Sequence, residues 1–242
     1  ETLHYCEQRR LSTSNFTYEV IIVDDGSNDN GATANIPRDI ALSRGRDSYV
    51  ASALRLLKLE KNRGKGGAVT QGMLSSRGRL LLMADADGAT QIEDVEKLEL
   101  AISSARSQTA VAIGSRAHLE DSDVVVERHP IRNFLMHGFH LVVRVLGVGG
   151  FKDTQCGFKL FSRQAARLIF PIMHVEGWIF DVECLYIAQK RSCSIAEVPV
   201  RWEEKDGSKL ALVSDSIKMA RDLFVIRFNY LFNLNWKIST NN

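Results

Sequence analysis

The sequence predicts an α/β domain built on a mixed, mainly parallel sheet with helices on both faces. Four apolar runs carry almost no polar alternation, which is typical of strands buried on both faces. Segments with helical spacing of apolar residues separate these runs, and this order favours parallel strands joined by crossover helices. With 242 residues, of which 45% are hydrophobic, the chain is long enough to bury a core of ordinary size.

The predicted strands and helices alternate along the first half of the chain. Strands are expected at 18–23, from about Leu54, in "GRLLLMADADG" and in "TAVAIGSR", and helices at 67–76 and 92–106. Residues 1–10 also have the pattern of a helix, but a parallel crossover needs a strand before it as well as after it. We therefore expect that a first, N-terminal strand is missing from this sequence.

Two later segments, 131–147 and 212–242, are rich in apolar and aromatic residues with scattered basic side chains. This composition fits two alternatives: helices buried against the domain, or helices that lie on a bilayer surface with the apolar side down. We expect a main domain over 1–211, which includes the first of these helices, and a C-terminal amphipathic helix over 212–242.

Composition narrows the class of protein. A formal net charge of +2 gives no field strong enough to imply nucleic acid as a partner. The four cysteines form no C-x-x-C pair, which favours reduced thiols over a disulfide framework. No apolar stretch reaches the length of a membrane span, and no signal peptide is evident. Because the first residue is Glu1, we expect a fragment, with any membrane anchor outside it.

Two carboxylates follow the third predicted strand in "LLMADADGAT". Residues i and i+2 of a strand point to the same side, so Asp85 and Asp87 can face one site. Oxygen ligands of this kind suit Mg²⁺ or Mn²⁺, which commonly bridge protein carboxylates and the phosphates of a substrate. The alternative is an ordinary solvated turn after a strand.

A second acidic pair ends the first predicted strand in "VIIVDDGS". Asp24 and Asp25 could accept hydrogen bonds from the N–H of a uracil and from ribose hydroxyls, and the turn at Gly26 and Ser27 leaves room for a planar base. The alternative is a turn in which Ser27 caps a helix.

The stretch "NRGKGGAV" places Lys65 between Gly64 and Gly66, just ahead of a predicted helix. Backbone N–H groups at the start of a helix, together with a lysine, form an anion site. The stretch lacks the G-x-x-x-x-G-K-[ST] pattern, which disfavours kinase or NTPase chemistry.

These three motifs, in this order, resemble the family 2 glycosyltransferases of the GT-A fold. The stretches "DTQCGFKLF", "WIFDVECLY" and "VPVRWEEKDGSKL" sharpen the resemblance to those members that glucosylate dolichyl phosphate. The resemblance covers nearly the whole chain from Tyr18 onward. The family opens with a strand and a turn that helps to hold the nucleotide, and this sequence has neither.

The resemblance implies transfer of glucose from UDP-glucose to dolichyl phosphate, with inversion, for the N-glycosylation pathway at the cytosolic face of the endoplasmic reticulum membrane. It also implies that Asp87, assisted by Asp85, holds Mg²⁺ or Mn²⁺ against the departing UDP. Asp24 and Asp25 would then contact uracil and ribose, with Lys65 near the nucleotide and Asp85 within reach of the ribose.

The family also places carboxylates where a base would sit. The matching residues are Asp181, ranked first as base or acceptor-orienting group, and Asp153, ranked second. The alternative for Asp181 is that it caps a helix. The acceptor phosphate requires cations, and the candidates are Arg116, Arg132, Arg201 and Lys209.

Three other functions stay open from the residues. A related polyprenyl-phosphate sugar transferase could use another donor such as GDP-mannose. A nucleotidyltransferase shares acidic strand ends and Mg²⁺, but should carry a basic Gly-rich loop after its first strand. A non-catalytic module that binds a sugar nucleotide is the third possibility.

Overall fold

The computed structural model describes residues 1–45, 48–120, 150–203, 212–232 and 236 of the chain. Within them the predicted α/β architecture is confirmed, with mixed strand pairing and helices on both faces. The predicted helix over 131–147, and with it Arg132, lies outside the described residues, as does Lys209.

Strands form where the sequence has apolar runs. The four predicted strands are β1 (Val20–Asp24), β2 (Leu54–Lys58), β3 (Leu80–Ala84) and β4 (Ala110–Ser115). Two further strands, β5 (Phe158–Ser162) and β6 (Ser194–Pro199), are not predicted from the sequence.

Helices fill the connections between the strands. In chain order they are α1 (Thr2–Ser12), α2 (Ala32–Arg44), α3 (Tyr49–Ala53), α4 (Gly64–Ser75), α5 (Val95–Ser104), α6 (Ala117–Glu120), α7 (Arg163–Ile169), α8 (Phe180–Lys190) and α9 (Leu212–Leu231). Two 3₁₀ turns, Ile92–Asp94 and Phe170–Ile172, flank α5 and α7. The helices predicted over 1–10, 67–76 and 92–106 correspond to α1, α4 and α5, and the predicted C-terminal helix is present over 212–231.

The strands form two sheets. In one, β1 and β2 run parallel, from Val20 opposite Leu54 to Asp24 opposite Lys58. The other has the order β3–β5–β4–β6, in which β5 is antiparallel to both neighbours and β4 is parallel to β6. The proportion of antiparallel strand pairs is larger than the sequence predicts, because β5 lies between β3 and β4 and runs antiparallel to both.

Side chains of the central strands alternate between two apolar layers. On β4, Val111 and Ile113 join the layer covered by α7, α8 and α9, whereas Ala112 faces the layer covered by α1 and α5. Tyr5 of α1 and Leu98 of α5 belong to this second layer. This alternation is the period-two pattern of a strand buried on both faces.

An ion pair is buried in the first of these layers. Lys159 of β5 shares its face with Phe161, and its ammonium donates to a carboxylate oxygen of Asp181 on α8 and to the carbonyl of Cys156, at 2.5 Å each. The two charged side chains are 1% and 3% exposed, so water compensates neither charge. Burial raises the pKa of Asp181, and the ammonium of Lys159 opposes that rise.

None of the helices in the described ranges is both long enough and apolar enough to cross a bilayer. The division of the chain at residue 211 stays a prediction.

Removal of the Lys159 ammonium should leave Asp181 as a buried charge without its partner. We expect Lys159→Met to lower the free energy of unfolding by about 3–5 kcal/mol at pH 8. The loss should be smaller near pH 5. Burial raises the pKa of Asp181 in the folded protein, so the folded variant takes up a proton at a pH where the unfolded chain does not. Urea unfolding at both pH values measures the difference.

The double variant Lys159→Met/Asp181→Leu serves as the control, because it leaves no charge in the layer and should recover part of the lost stability. An equal loss at both pH values, with no recovery in the double variant, would show that the pair does not carry this stability.

Candidate active site

Polar side chains that follow separate strands lie together at one edge of the larger sheet. Asp85 comes directly after β3, and Arg116 directly after β4. The ammonium of Lys65, from the first turn of α4, lies 2.8 Å from a carboxylate oxygen of Asp85. Arg116 in turn binds Asp153. The structure therefore brings Asp85, Lys65, Arg116 and Asp153 to one edge, as expected for the carboxyl ends of strands in an α/β sheet.

Asp85 is held by the neighbouring strand. Its N–H donates to the carbonyl of Gly157 at 2.9 Å, which continues the pairing of β3 with β5. Its carboxylate lies against Gly157, where any Cβ would overlap it. Glycine is therefore required at position 157 for Asp85 to keep this orientation.

Asp87 lies on the exposed turn that follows. One of its carboxylate oxygens accepts the N–H of Ala89 at 2.9 Å, which fixes the turn. In the described parts of the chain, no three His, Cys, Asp or Glu side chains group as a metal site. A pair of exposed carboxylates, Asp85 and Asp87, nevertheless suits Mg²⁺ or Mn²⁺, since such ions take hard oxygen ligands and complete their shell with water and substrate phosphate.

The "VDDGS" turn at the end of β1 is held by its own acidic side chains. Asp24 is 2% exposed and accepts the N–H of Ser27 at 2.8 Å. The two carboxylate oxygens of Asp25 accept the N–H groups of Arg63 and Gly64, at 2.7 and 2.8 Å. In this structure both carboxylates therefore fix the loops beside the strand, and their predicted contacts with uracil and ribose stay predictions.

A surface depression of about 500 Å³ opens beside this turn. Its lining includes Gly26 and Ser27 from the turn, and Lys58 and Glu60 after β2. Gly26 has φ +70°, and a Cβ there would come within 3.0 Å of the backbone nitrogen of Asn62. Glycine is thus needed for the close approach of the two loops that border the depression.

The glycines around Lys65 let the start of α4 pack against another loop. Gly64 has φ +78°, and a Cβ there would lie 2.6 Å from the carbonyl oxygen of Glu176. At Gly66 a Cβ would lie 2.5 Å from the Cβ of Phe180. This close contact fixes the backbone that aims Lys65 at Asp85.

Asp153 and Arg116 form a bidentate pair. The guanidinium donates to both carboxylate oxygens, at 2.7 and 2.9 Å, and the Arg116 N–H adds a third hydrogen bond at 3.0 Å. Burial acts to raise the pKa of Asp153, but the hydrogen bonds and charge of Arg116 outweigh burial and hold this pKa below its usual range. Asp153 is therefore ionised at neutral pH. Arg116 also lies over the ring of Trp202, 5.3 Å from its centre.

Two of the predicted residues have partners that restrict their roles. Burial has the largest effect on the pKa of Asp181, Lys159 the next largest, and Lys65 and Asp85 smaller ones, so Asp181 lies near this edge. Its carboxylate is nevertheless buried and paired with Lys159. Arg201 donates to Asp94 of the 3₁₀ turn, at 3.0 Å from its side chain and 2.6 Å from its backbone. The role predicted for Arg201 in holding a phosphate stays a prediction.

Sequence reasoning missed residues that position the site. Lys159 and Gly157 hold Asp181 and Asp85, and Glu197 of β6 accepts the N–H of Asp153 at 2.9 Å. The one signal for Lys159 is a lysine inside the apolar run "GFKLF". Burial raises the pKa of the Cys156 thiol to about 11, so this neighbour of the site is a protonated thiol at neutral pH.

Comparison with known proteins gives the family. The model of Glycosyl transferase family 2 matches residues 1–170. The chain is 48% identical over 241 residues to a dolichyl-phosphate beta-glucosyltransferase of Dictyostelium discoideum, which covers 99% of this chain and 71% of the relative. A Drosophila melanogaster protein of the same name is 49% identical over 243 residues, covering 99% of this chain and 72% of the relative.

A solved structure supports the fold independently. Glucosyl-3-phosphoglycerate synthase from Mycobacterium tuberculosis, crystallised with Mn²⁺, UDP-glucose and phosphoglyceric acid, superposes with a TM-score of 0.56 at 13% identity. The match covers 94% of this chain and 74% of that enzyme. At this identity the likeness shows the GT-A fold alone.

The chain therefore belongs to glycosyl transferase family 2 and, within it, to the group of the dolichyl-phosphate β-glucosyltransferases.

Proposed function

We propose that this protein transfers glucose from UDP-glucose to dolichyl phosphate with inversion at the anomeric carbon. The observation that carries the proposal is the juxtaposition of Asp85 and Lys65 beside the Arg116–Asp153 pair, in a chain nearly half identical to enzymes named for this acceptor. One edge then offers anionic ligands for a metal–diphosphate and cationic groups for phosphate oxygens.

The donor is bound along the loops that follow β1 and β2. The depression lined by Gly26 and Ser27 takes the uracil base, and Asp25 lies between it and the glycine loop that carries Lys65. Lys65 reaches the diphosphate. Because this ammonium pairs with Asp85 in the structure, it exchanges that partner for phosphate oxygens when the donor binds.

Asp85 and Asp87 would hold the divalent cation. Their carboxylate oxygens are exposed and of the hard type that Mg²⁺ and Mn²⁺ prefer, and the Mycobacterium tuberculosis enzyme of the same fold was crystallised with Mn²⁺ and UDP-glucose. When bound, the ion neutralises the negative charge that grows on the departing UDP. Asp85 keeps its orientation through Gly157, and Asp87 through the amide of Ala89.

The acceptor needs no strong general base. A phosphate monoester loses its second proton near pH 6, so it is already a nucleophile at neutral pH. This agrees with the state of the two candidate bases, since Asp181 is buried on Lys159 and Asp153 is bound by Arg116. We propose that Asp181 orients the site indirectly, through its buried pair with Lys159, and that Asp153 positions Arg116 for the acceptor phosphate.

The enzyme works at a membrane surface, which we propose to be the cytosolic face of the endoplasmic reticulum. Dolichyl phosphate is a lipid. Three exposed rings stand one turn apart, Phe224 and Phe228 on α9 and Phe232 directly after it. Such a row of aromatic side chains on an amphipathic helix suits insertion among lipid head groups.

Transfer is tested by incubating the protein with radiolabelled UDP-glucose, dolichyl phosphate and Mn²⁺ or Mg²⁺, and by extracting the product into organic solvent. Label in the lipid phase is the expected result. Lipid label only when radiolabelled GDP-mannose replaces UDP-glucose would identify a mannose nucleotide as the donor. Release of pyrophosphate in a parallel reaction that contains UTP and glucose 1-phosphate would identify a nucleotidyltransferase.

Asp87→Asn tests the cation site in this assay. The substitution removes one anionic ligand on an exposed turn, so we expect transfer to fall by at least about a hundredfold while the unfolding temperature stays unchanged. Asp39→Asn, at an exposed position of α2, makes the same chemical change away from the site and should keep full activity. Full activity of Asp87→Asn would refute the role assigned to Asp87.

The pH dependence of kcat/KM for the acceptor tests whether a base is needed. Because the acceptor phosphate itself must lose a proton, we expect kcat/KM to rise with pH up to about 6 and to stay constant above that pH. The profile therefore has a bend near about pH 6. Asp181→Asn should lower the rate by a similar factor at every pH and leave the bend in place. Loss of the bend in this variant would make Asp181 the general base.

A further inference from the structure

A groove beside the candidate site takes no part in the transfer as proposed above. It encloses about 350 Å³ between the segment 174–178 and α9. Val175 and Trp178 supply apolar surface from one wall, Met219 and Val225 from the other, and Trp236 contributes a further ring.

The core fixes the spacing of the two walls. Glu183 of α8 is fully buried and accepts the N–H of Val175 at 2.7 Å and the hydroxyl of Tyr230 on α9 at 2.8 Å. The imidazole of His174 stacks on Trp236, with ring centres 4.5 Å apart. Because one carboxylate ties both walls, the groove is part of the packed structure rather than a gap between surface side chains.

The groove joins the proposed lipid-facing side of α9 to the reactive edge. On the α9 wall, Val225 is 38% exposed and follows Phe224, the first ring of the exposed row, in the sequence. On the opposite wall, the ring of Trp178 lies with its centre 5.9 Å from the ammonium of Lys65. An apolar path therefore runs from the outer surface of α9 to a cation that contacts Asp85.

Charge along the groove does not oppose an anionic ligand. The lining includes two carboxylates, Glu176 and Asp222. Glu176 pairs with Arg63, and Asp222 accepts two hydrogen bonds from Arg221. Each negative charge is thus matched by an arginine.

We infer that this groove binds the isoprenoid chain of the acceptor, namely the isoprene units next to its phosphate. The inference rests on the proposed function for the identity of the acceptor. An isoprenyl phosphate is apolar along its chain and anionic at one end. This matches an apolar groove that ends beside Lys65, at the edge where Arg116 is proposed to bind the acceptor phosphate. Burial of its methyl and methylene groups against indole and aliphatic side chains supplies affinity that a bare phosphate lacks.

Titration calorimetry with farnesyl phosphate and with methyl phosphate, in buffer without vesicles or detergent, tests this site. We expect the native chain to bind farnesyl phosphate at least about tenfold more tightly than methyl phosphate. Val225→Asp and Trp178→Ala should each weaken farnesyl phosphate binding about tenfold and leave the Kd of methyl phosphate unchanged. Leu100→Asp, at a 68% exposed position of α5, introduces the same charge elsewhere and should change neither Kd.

Native affinity for farnesyl phosphate in both groove variants would overturn the inference, and so would an equal loss for the two ligands. Because both substituted side chains are partly exposed, we expect each variant to keep the fold, and thermal unfolding of each variant checks this. The titration uses no donor. A protein that binds farnesyl phosphate in this groove but transfers no glucose would therefore count against the proposed function and not against the groove.

Discussion

The buried pair of Lys159 and Asp181 is the interaction on which the geometry of the candidate site depends. The Lys159 ammonium also holds the carbonyl of Cys156, and the next residue, Gly157, supplies both the backbone partner and the open space for Asp85. A charge pair buried in the core requires good geometry, since neither ion can be hydrated. The position of the exposed carboxylate is thus set from inside the sheet.

Most carboxylates of the predicted site hold backbone or another side chain in the structure. Asp24 and Asp25 accept loop amides, Asp153 holds Arg116, and Asp181 holds Lys159. Among the six predicted acidic residues, Asp85 and Asp87 are the exposed ones, and Asp85 already faces a cation. The like charges gathered at this edge are therefore separated by their partners, and the two left exposed are those that suit a divalent ion.

The sequence is informative where local pattern decides the structure. The runs that become β1, β3 and β4 are apolar almost to their ends, and β2 is rich in leucine. Acidic residues end or follow β1 and follow β3, so both the strands and their functional ends can be predicted. β5 is not predicted, because its buried Lys159 depends on Asp181, 22 positions away, and local sequence pattern does not contain this long-range contact. For the same reason the sequence cannot tell that Arg201 meets Asp94, 107 residues earlier.

This distribution of partners agrees with the acceptor chemistry proposed above. A sugar hydroxyl would require an accessible carboxylate to remove its proton, whereas a phosphate monoester is largely ionised at neutral pH. An enzyme for such an acceptor can use its carboxylates to hold arginine and lysine side chains in place, because the transition state calls for fixed charge rather than for proton transfer. The pairing of Asp153 with Arg116 agrees with the proposed phosphate acceptor. The pair of Asp181 and Lys159 is buried in the core, so its carboxylate is not accessible as a base.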